Sequence, residues 1–288
     1  MKLNSRIESI IEKETGSGIK SVQSLSGGCI SNAYKLEFNS GLIAFLKMNP
    51  DGSMFRKEAD GLVELGKANA IRVPKVIFCG DDFILLEYIN EGRRSKTFFE
   101  DFGAGFARLH EFTGDHFGFY EDNYIGSTVQ MNIPVEKEKL NWIEFYLNKR
   151  ILFQFKLAEK NGYSSQELHK GIKKLESKIG EILSGSEEPP ALLHGDLWSG
   201  NYITDEKGNA CLIDPAVYYG HREADLAMTK LFGGFTREFY YAYNECFPLK
   251  PGYEYRENIY KLYHVLNHLN LFGTGYYSHA LQLVRSYL

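Results

Sequence analysis

The stretch H-G-D-L-W-S-G-N, residues 194–201, limits what this chain can fold into, because it places an acid, an amide and two glycines in a fixed spacing. Asp196 is followed by Asn201 five positions later, and Asp214 ends the next apolar run in L-I-D-P. Phosphoryl transfer needs a carboxylate that orients the acceptor hydroxyl, and oxygen ligands for the metal ions that bridge the phosphates. The protein-kinase pattern D-L-x-x-x-N has this spacing. The motif indicates a phosphoryl-transfer site, with a polar turn as the alternative when it is considered alone.

A glycine-rich loop and a strand lysine in the first third of the chain favour the phosphoryl-transfer interpretation. The loop is S-G-G-C-I-S-N, residues 26–32, whose glycines allow successive N–H groups to face phosphate oxygens. Lys47 ends the apolar run I-A-F-L-K, where an unpaired cation is costly, and Glu58 in F-R-K-E-A is its expected partner. Singly, these features are also typical of a hairpin loop, an edge-strand lysine and a solvated glutamate. Together, upstream of Asp196 and in kinase order, they predict a kinase-like fold.

The hydrophobic pattern divides the chain into a β-rich first third and a helical remainder. The first third predicts helices over 5–16 and 53–69, and strands over 19–25, 33–38, 42–48, 76–79 and 83–89. The remainder predicts short strands over 191–193, 202–204 and 211–213, and helices over 97–109, 136–160 and 168–182 and from residue 221 onward. We therefore expect an α+β, bilobal protein-kinase-like fold. Residues 1–90 would form a nucleotide-binding lobe with a small antiparallel sheet and one key helix, and residues 91–288 a larger, mainly helical catalytic and substrate lobe.

Composition and charge exclude several classes of protein. The formal charge of −4 and the isoelectric point near 6.1 give no electrostatic footprint for a nucleic-acid partner. The N-terminal residues M-K-L-N-S-R-I-E-S-I-I-E-K are typical neither of a signal peptide nor of a membrane span, so we expect a cytoplasmic protein without a membrane partner. The four cysteines are widely separated, which indicates neither a zinc site nor a disulfide framework.

Several stretches together resemble the fructosamine kinase (ketosamine-3-kinase) family, related to the aminoglycoside and choline phosphotransferases within the kinase-like fold. The motif H-G-D alone would indicate only the broad phosphotransferase group, whereas Trp198, D-N-Y-I-G-S-T and H-R-E-A-D-L-A-M are more selective. The matching stretches, between residues 27 and 228, are G-G-C-I-S-N-A-Y-K-L, F-L-K-M-N, M-F-R-K-E-A-D-G-L, G-D-H-F-G-F-Y-E-D-N-Y-I-G-S-T-V-Q, L-L-H-G-D-L-W-S-G-N and I-D-P-A-V-Y-Y-G-H-R-E-A-D-L-A-M.

The resemblance implies an ATP site in the first lobe. Lys47, paired with Glu58, would grip the ATP phosphates. The loop residues that would contact the phosphates are Gly27, Gly28 and Cys29. The backbone groups that would face adenine belong to Glu87, Tyr88 and Ile89.

The resemblance also implies roles on the acceptor side. Asp196 would orient and deprotonate a sugar hydroxyl, while Asn201 and Asp214 would hold Mg²⁺ against the phosphates. Trp198 would form a platform for the substrate, with a packed loop tryptophan as the alternative. The supporting residues would be His194, which orients the loop, and Asp225, which braces it, whereas His110 and the loop over 114–130 would shape the acceptor pocket.

Cys29 has two interpretations that stay open. Beside the backbone donors of an anion-binding loop its thiol would be oxidisable, and an intersubunit disulfide in a homodimer would couple redox state to nucleotide binding. An inert loop cysteine in a reducing cytoplasm is the alternative.

Departures from the protein-kinase motifs favour a small-molecule acceptor. H-G-D lacks the arginine that reads a phosphorylated activation loop, Asp214-Pro215 replaces D-F-G, and no A-P-E follows. The resemblance implies ATP-dependent phosphorylation of the sugar 3-hydroxyl of a free or protein-bound ketosamine, a ribulosamine or fructosamine. The unstable ester would release the amine, so the implied role is deglycation. The alternatives are phosphotransfer to another hydroxylated amine (choline, homoserine or an aminoglycoside) and a nucleotide-binding pseudokinase.

Overall fold

The computed structural model describes residues 3–25, 32–49 and 52–288, apart from the side chain of Ser53. The predicted phosphate-loop residues Gly27, Gly28 and Cys29 lie outside these ranges. The chain divides into two compact units: the first unit is Met1–Phe98 with Ile203–Asp214, and the second unit is Phe99–Tyr202 with Pro215–Leu288. Within the described ranges, no helix combines the length and the apolar content that crossing a bilayer would require.

The described part of the first unit contains an antiparallel sheet in the strand order β1-β2-β3-β5-β4. Its strands are β1 (Ile19–Leu25), β2 (Asn32–Phe38), β3 (Ile43–Met48), β4 (Val76–Cys79) and β5 (Phe83–Glu87). Each of the five strands coincides with a stretch predicted as a strand, and their bounds agree with the predicted ones to within two residues. The most central strand, β3, pairs with both β2 and β5, and it carries Lys47 near its end.

Two helices pack on opposite faces of this sheet, α1 (Ser5–Thr15) and α2 (Ser53–Lys67). Successive side chains of a strand point to opposite faces, so Leu46 and Leu85 pack in the core that includes α1, whereas Ile84 packs in the core that includes α2. Lys47 follows Leu46 directly and therefore points to the α2 face. This alternation is the physical reason that a lysine at this position meets a side chain of α2.

The second unit is mainly helical. Its longest helix, α9, packs against α5, α7 and α10 and is buried along most of its length. The helices are α3 (Phe98–Glu111), α4 (Trp142–Tyr146), α5 (Phe153–Lys160), α6 (Gln166–Ile182), α7 (Glu223–Leu231), α8 (Arg237–Cys246), α9 (Tyr253–Phe272) and α10 (Tyr277–Arg285).

The prediction of one continuous α-helix over 136–160 is wrong. A 3₁₀ turn (Glu136–Glu138), α4, a π-helical segment (Leu147–Leu152) and α5 occupy this stretch. The π-helical segment contains Arg150, whose side chain is fully buried. Segments of this kind are one-turn insertions in α-helices and are frequent at functional sites.

Short strands pair as hairpins or ladders near the motif over 194–201. They are β6 (Asn123–Ile125) with β7 (Thr128–Gln130), β8 (Ala191–Leu193) with β11 (Tyr218–Gly220), and β9 (Tyr202–Thr204) with β10 (Ala210–Leu212). The strands β6, β7 and β11 were not predicted. In the β8–β11 ladder Leu193 lies opposite Tyr218, so the residues that follow β8 run beside the residues that precede β11.

Candidate active site

The ammonium of Lys47 joins two carboxylates in the first unit. Lys47 Nζ donates a hydrogen bond to Glu58 Oε1 at 2.8 Å and another to the carboxylate of Asp214. The side chains of Lys47 and Glu58 are each 16% exposed. Three of the predicted nucleotide-site residues therefore come together, although Asp214 is 167 positions away from Lys47 in the sequence.

The carboxylates of Glu58 and Asp214 stabilise the positive charge of Lys47. Burial by itself would lower the pKa of Lys47, but the charges of Glu58 and Asp214 outweigh burial and raise that pKa above its ordinary value. Burial raises the pKa of Glu58, and Lys47 offsets only part of this effect. Lys47 therefore remains a cation at neutral pH, held in place by two acids.

Arg72 connects the turn between β9 and β10 to the end of β5. Its Nη2 lies 2.6 Å from Glu87 Oε1, and its Nη1 lies 3.1 Å from Asp205 Oδ2 and 2.9 Å from Glu206 Oε1. Its carbonyl accepts a hydrogen bond of 2.9 Å from the N–H of Leu212. Because β10 leads to Asp214, these contacts help to fix the position of that acid. Sequence reasoning missed Arg72, which lies in no motif.

The residues predicted to face adenine lie at the end of β5. The backbone N–H of Glu87 donates to the carbonyl of Lys75 at 2.8 Å, so this N–H is already used. Lys35 Nζ lies 4.9 Å from the ring centre of Tyr88, and Ile89 is buried. The adenine contacts of this segment stay a prediction.

In the second unit, Asp225 fixes the backbone at the start of the motif over 194–201. Its Oδ2 accepts from the N–H of His194 at 2.6 Å, and its Oδ1 accepts from the N–H of Gly195 at 2.8 Å. Gly195 has φ of 82°, and a Cβ at this position would collide with the carbonyl oxygen of Ala216. Only glycine meets both conditions without strain. Asp225 thus holds the turn that presents Asp196.

Asp196 and Asn201 are linked directly. Asn201 Nδ2 donates to the carbonyl of Asp196 at 2.8 Å and to Asp196 Oδ2 at 3.2 Å. The N–H of Asp196 lies 3.3 Å from His194 Nδ1, and His194 is fully buried. His194 thus contacts the backbone of the loop at Asp196, and its role in orienting the loop stays a prediction.

His110 is not a pocket residue, which corrects the expectation for its position. It is buried, its Nε2 lies 3.3 Å from Asp225 Oδ2, and its Nδ1 lies 2.7 Å from the hydroxyl of Tyr243. Burial lowers the pKa of His110, so the ring is neutral near pH 7. His110 thus contacts Asp225 and helps to hold the carboxylate that supports the turn.

Trp198 is 38% exposed, and its ring orientation is defined by its neighbours. Its indole lies against the backbone of Gly200, where a Cβ would overlap the six-membered ring. Phe232 meets the indole edge-to-face, with 6.3 Å between ring centres. These contacts therefore hold the ring of Trp198 in one orientation, and part of its surface is exposed to solvent.

Asn201, in the second unit, and Asp214, in the first, each offer an oxygen of the kind that Mg²⁺ prefers. The amide nitrogen of Asn201 is used by Asp196, which leaves its Oδ1 as a hard oxygen, and Asp214 offers a carboxylate. Within the described ranges no group of three or more His, Cys, Asp or Glu residues could hold a metal. Mg²⁺ is usually bound by one or two carboxylates together with water and phosphate oxygens.

Known phosphotransferases share this fold. An ADP-bound aminoglycoside phosphotransferase aligns with a TM-score of 0.66 at 16% identity, over 99% of this chain and all of that one. At this identity the likeness shows the fold alone. The expected α+β, protein-kinase-like fold is confirmed.

The family model described as fructosamine kinase matches residues 3–288. The chain belongs to the fructosamine kinase family. A chloroplastic protein-ribulosamine 3-kinase of Oryza sativa subsp. indica is 40% identical over 97% of this chain and 82% of its own length. A probable ketoamine kinase of Synechocystis sp. is 37% identical over 94% and 91%. A candidate fructosamine-3-kinase of Thermobifida fusca has a TM-score of 0.89 at 32% identity, over 99% of both chains. The resemblance is confirmed, and with it the enzyme class, an ATP-dependent kinase.

The family-selective segment D-N-Y-I-G-S-T-V-Q contributes two buried amides, Asn123 and Gln130, and Asn132 follows two positions later. These three residues, here called the amide cluster, are at most 4% exposed. Gln130 Nε2 donates to the carbonyl of Ala216 at 2.9 Å, and Asn123 Nδ2 donates to the carbonyl of Val217 at 2.8 Å. Asn123 Oδ1 accepts from both Gln130 Nε2 and Asn132 Nδ2. The cluster thus binds backbone groups of this chain; its residues do not line an acceptor pocket.

The amide cluster also positions the turn of the family motif H-G-D. Ala216, which Gln130 holds, donates its N–H to the carbonyl of His194 at 2.9 Å. The carbonyl of Ala216 also occupies the space beside Gly195. The turn that contains Asp196 is therefore held by Asp225 on one side and by the amide cluster, through Ala216, on the other.

Arg150 completes this support from the π-helical segment. Its Nη2 donates to Asn132 Oδ1 at 2.7 Å, and its guanidinium lies 4.0 Å from the ring centre of Tyr218. Two further rings surround it at 5.0 Å (Phe145) and 5.4 Å (Tyr263). Aromatic faces and carbonyl or amide oxygens compensate for the burial of this cation. No sequence pattern indicated this role.

Proposed function

We propose that this protein transfers the γ-phosphoryl group of ATP to the sugar 3-hydroxyl of a ketosamine. The observation that carries the kinase part of the proposal is the ion pair between Lys47 and Glu58, 2.8 Å long and only 16% exposed. Burying such a charged group is unfavourable without compensation, which supports a phosphate-binding role for Lys47. Asp196, Asn201 and Asp214 are present as well, and a pseudokinase that only binds nucleotide would not need the base Asp196. Family membership supports a ketosamine as the acceptor.

In the proposed reaction Asp196 acts as the general base. The 3-hydroxyl oxygen attacks the γ-phosphorus, the bond from that phosphorus to the ADP oxygen breaks, and the hydroxyl proton goes to Asp196. Asn201 keeps the carboxylate of Asp196 in one orientation through the contact at 3.2 Å. Lys47 binds phosphate oxygens, and Gly27, Gly28 and Cys29 stay predicted phosphate contacts.

Bound Mg²⁺ would supply positive charge against the phosphates, with Asn201 Oδ1 and the carboxylate of Asp214 as its protein ligands. Asp214 has φ of 53°, a left-handed conformation that is uncommon outside glycine. Residues held in this region cluster at functional sites. This conformation therefore supports a metal-ligand role for Asp214.

The phosphorylated ketosamine is unstable and releases its amine, so the proposed role is deglycation. Phosphorylation of choline is the alternative, and one observation speaks against it. The tyrosine-rich C-terminal third does build an aromatic and acidic cage, but the cage surrounds Lys230. Lys230 Nζ lies 5.4 and 5.5 Å from the ring centres of Tyr240 and Tyr253 and is paired with Glu257. A quaternary ammonium would have to displace this internal cation.

The test is an ADP-release assay with Mg²⁺ and a panel of acceptors: a ribulosamine, a fructosamine, choline and an aminoglycoside. We expect turnover with the ketosamines. Asp196→Asn is expected to abolish it while ATP binding persists, because this change removes the base and keeps the shape. Turnover with choline alone would contradict the proposed acceptor, and normal turnover by Asp196→Asn would contradict the proposed base.

A further inference from the structure

A cavity in the second unit lies between α7, α8 and α9, and none of the residues assigned to the reaction lines it. Its volume is about 50 Å³, and it is partly open to solvent. A buried water molecule needs about 10–15 Å³ of such space, so the cavity has room for a group of several atoms. Its walls are mainly apolar and include Leu226, Ala227 and Leu249. A ligand for this cavity therefore needs a small apolar body.

Side chains on one face of α7 and one face of α8 form most of the cavity. Lys230 lies three positions after Ala227 and four after Leu226 on α7, so these side chains share a face. Tyr240 and Tyr243 lie three positions apart on α8 and share a face as well. Ala227 contributes only a methyl group, where a larger side chain would fill the space between the helices. The cavity thus depends on the size of side chains on regular helices.

The cation in the wall of the cavity is Lys230. Its Nζ lies 5.4 Å from the ring centre of Tyr240 and 5.5 Å from that of Tyr253, and it pairs with the carboxylate of Glu257. An ammonium has three N–H donors, and Glu257 uses one of them. The two rings and the glutamate hold the ammonium in place, so a ligand would meet its other donors at a fixed position.

The five charged side chains in and beside the cavity carry a net positive charge. Glu257 pairs with both Lys230 and Lys261, and Glu223 binds Arg256 through both of its oxygens, at 2.8 and 2.6 Å. Two carboxylates thus face three cations. A ligand with a single negative charge would restore the balance, whereas a dianion would be repelled by Glu223 and Glu257, which both line the cavity. The cavity therefore fits a monoanion.

Asn244 offers a second hydrogen-bond donor on the cavity wall. Its Oδ1 accepts from the backbone N–H of Leu249 at 2.9 Å, which fixes the orientation of the amide. Its Nδ2 has no hydrogen-bond partner among the residues that the structure describes. A carboxylate has two oxygens that can accept from two separate donors. Lys230 and Asn244 together therefore favour a carboxylate as the charged group of the ligand.

Buried contacts connect the wall of the cavity to the turn before Asp196. Tyr243 lines the cavity, and its hydroxyl lies 2.7 Å from His110 Nδ1. His110 Nε2 lies 3.3 Å from Asp225 Oδ2, which accepts from the N–H of His194. Tyr243, His110 and Asp225 are each 1% exposed. Close-packed interior groups transmit strain to their neighbours, so a ligand that presses on Tyr243 displaces this turn.

We propose that this cavity is an effector site for a small organic monocarboxylate of about four or five carbons. The carboxylate binds Lys230 and Asn244, and the apolar body packs against Leu226 and Ala227. Occupation of the cavity lowers kcat, because the displacement passed on through Tyr243 moves the turn away from the arrangement that the empty protein has. The binding part of this proposal stands by itself, and only the effect on kcat rests on the proposed kinase reaction.

The binding test uses 3-methylbutanoate as the probe and the whole chain, followed by ligand-observed NMR. We expect saturable binding by wild type, with a Kd of about 1 mM for a ligand of this size. The amide 3-methylbutanamide has the same shape and no charge, and it should bind about tenfold more weakly because hydrogen bonds to charged groups are the stronger ones. Sulfate, a dianion, should bind no more tightly than the amide.

Lys230→Met tests the charged donor. It should weaken the Kd for 3-methylbutanoate about tenfold, since the ammonium is lost while an unbranched chain remains between the two rings. Glu257 keeps Lys261 as its partner in this variant, so we expect it to fold. The matched control is Lys137→Met, which removes the same charge from a surface pair with Glu144 and should leave the Kd unchanged.

Asn244→Asp is a second, nearly isosteric variant of the cavity. The aspartate keeps an acceptor for the N–H of Leu249, so the local backbone should be unchanged. It replaces the Nδ2 donor by a negative charge, which should weaken binding of the carboxylate and leave binding of the neutral amide almost unaffected.

ADP release with saturating ATP and ketosamine measures the effect on turnover. Saturating 3-methylbutanoate should lower the kcat of wild type about fivefold, the lower end of ordinary coupling between sites, and leave both KM values unchanged. Lys230→Met should have the wild-type kcat and lose the response at the same ligand concentration. Tyr243→Phe removes the hydroxyl that contacts His110, so it should bind the probe with the wild-type Kd and show a smaller decrease in kcat.

Four results would overturn the proposal. The first is that wild type shows no saturable binding of 3-methylbutanoate at concentrations well above the millimolar range. The second is an equal Kd for wild type, Lys230→Met and Asn244→Asp. The third is an unchanged kcat when the cavity is saturated. The fourth is a raised KM for the ketosamine at constant kcat, which would place the probe in the acceptor site. If no ketosamine is phosphorylated, the proposed function fails, while the NMR titration still decides whether the cavity binds carboxylates.

Discussion

Asp225 Oδ1 accepts a hydrogen bond of 2.8 Å from the backbone N–H of Gly195, 30 positions earlier in the chain. Its other oxygen accepts from the N–H of His194 at 2.6 Å. Both residues that donate these N–H groups are buried. The geometry of the turn before Asp196 therefore depends on one carboxylate on α7, and this dependence can be tested separately from the chemistry.

Asp225→Ala should destabilise the protein and inactivate it. The change leaves two buried backbone N–H groups without acceptors, and each such group costs about 1–3 kcal/mol of unfolding free energy. Urea unfolding measures the loss, and ADP release measures activity. Asp225→Asn keeps one oxygen acceptor and should lie between wild type and Asp225→Ala. An unfolding free energy equal to that of wild type for Asp225→Ala would contradict the bracing role.

Arg72→Gln should weaken ATP binding and leave stability almost unchanged. The Arg72 side chain is 29% exposed, and ion pairs at such positions contribute about 0–1 kcal/mol. The change removes the contacts of Arg72 with Glu87, the first residue of the segment predicted to face adenine, and with the turn that leads to Asp214. We expect the KM for ATP to rise severalfold with little change in kcat. Arg6→Gln, which removes the surface pair with Asp82, is the control. Equal KM values for both variants would contradict this role.

Local periodicity predicted the first unit well, and the physical reason is the regularity of its elements. Strands β3, β4 and β5 are mainly apolar runs, apolar residues recur along β1 and β2, and α2 has one apolar face. The alternation of Leu46 and Lys47 along β3 then directs the lysine to Glu58. A contact between neighbouring elements is predictable when each element has a clear period.

Long-range contacts and three of the six three-residue strands were not predictable in this way. Arg72 meets Asp205 and Glu206 across more than 130 positions, and no local pattern marks either partner. The strands β6, β7 and β11 contain polar residues or glycine and form no apolar run, whereas the equally short β8, β9 and β10 were predicted. The inward direction of His110 also depends on tertiary packing around Asp225, whereas its sequence position fits a pocket residue equally well.

Gln130→Met tests whether the amide cluster positions the turn with Asp196. The side chains have similar volumes, but methionine cannot bond the carbonyl of Ala216 or the hydroxyl of Tyr263, which lies 2.7 Å from Gln130 Oε1. Unsatisfied buried groups should lower the unfolding free energy by about 1–3 kcal/mol. A displaced turn should also lower kcat about tenfold or more, without changing the KM for ATP.

The control for this change is Gln23→Met on β1, where the glutamine is exposed. It should alter neither stability nor kcat. Gln130→Met could lower the unfolding free energy and still show the wild-type kcat at a temperature where the variant is folded. That result would assign the amide cluster a purely structural role.

His264 should make the protein less stable as the pH falls below 7. The ring is buried and its Nδ1 has no hydrogen-bond partner among the described residues, and burial together with the nearby His268 lowers its pKa to about 3. In the unfolded chain the pKa is near 6.5, so unfolding takes up a proton between these values, and the folded state loses stability as pH falls. This histidine alone accounts for about 2 kcal/mol of lost stability between pH 7 and pH 5.

Urea unfolding of His264→Asn at both pH values should show a correspondingly smaller loss than wild type, whereas the surface change His116→Asn should reproduce the wild-type loss. Identical losses in His264→Asn and wild type would show that the ring is already protonated or solvated in the folded protein.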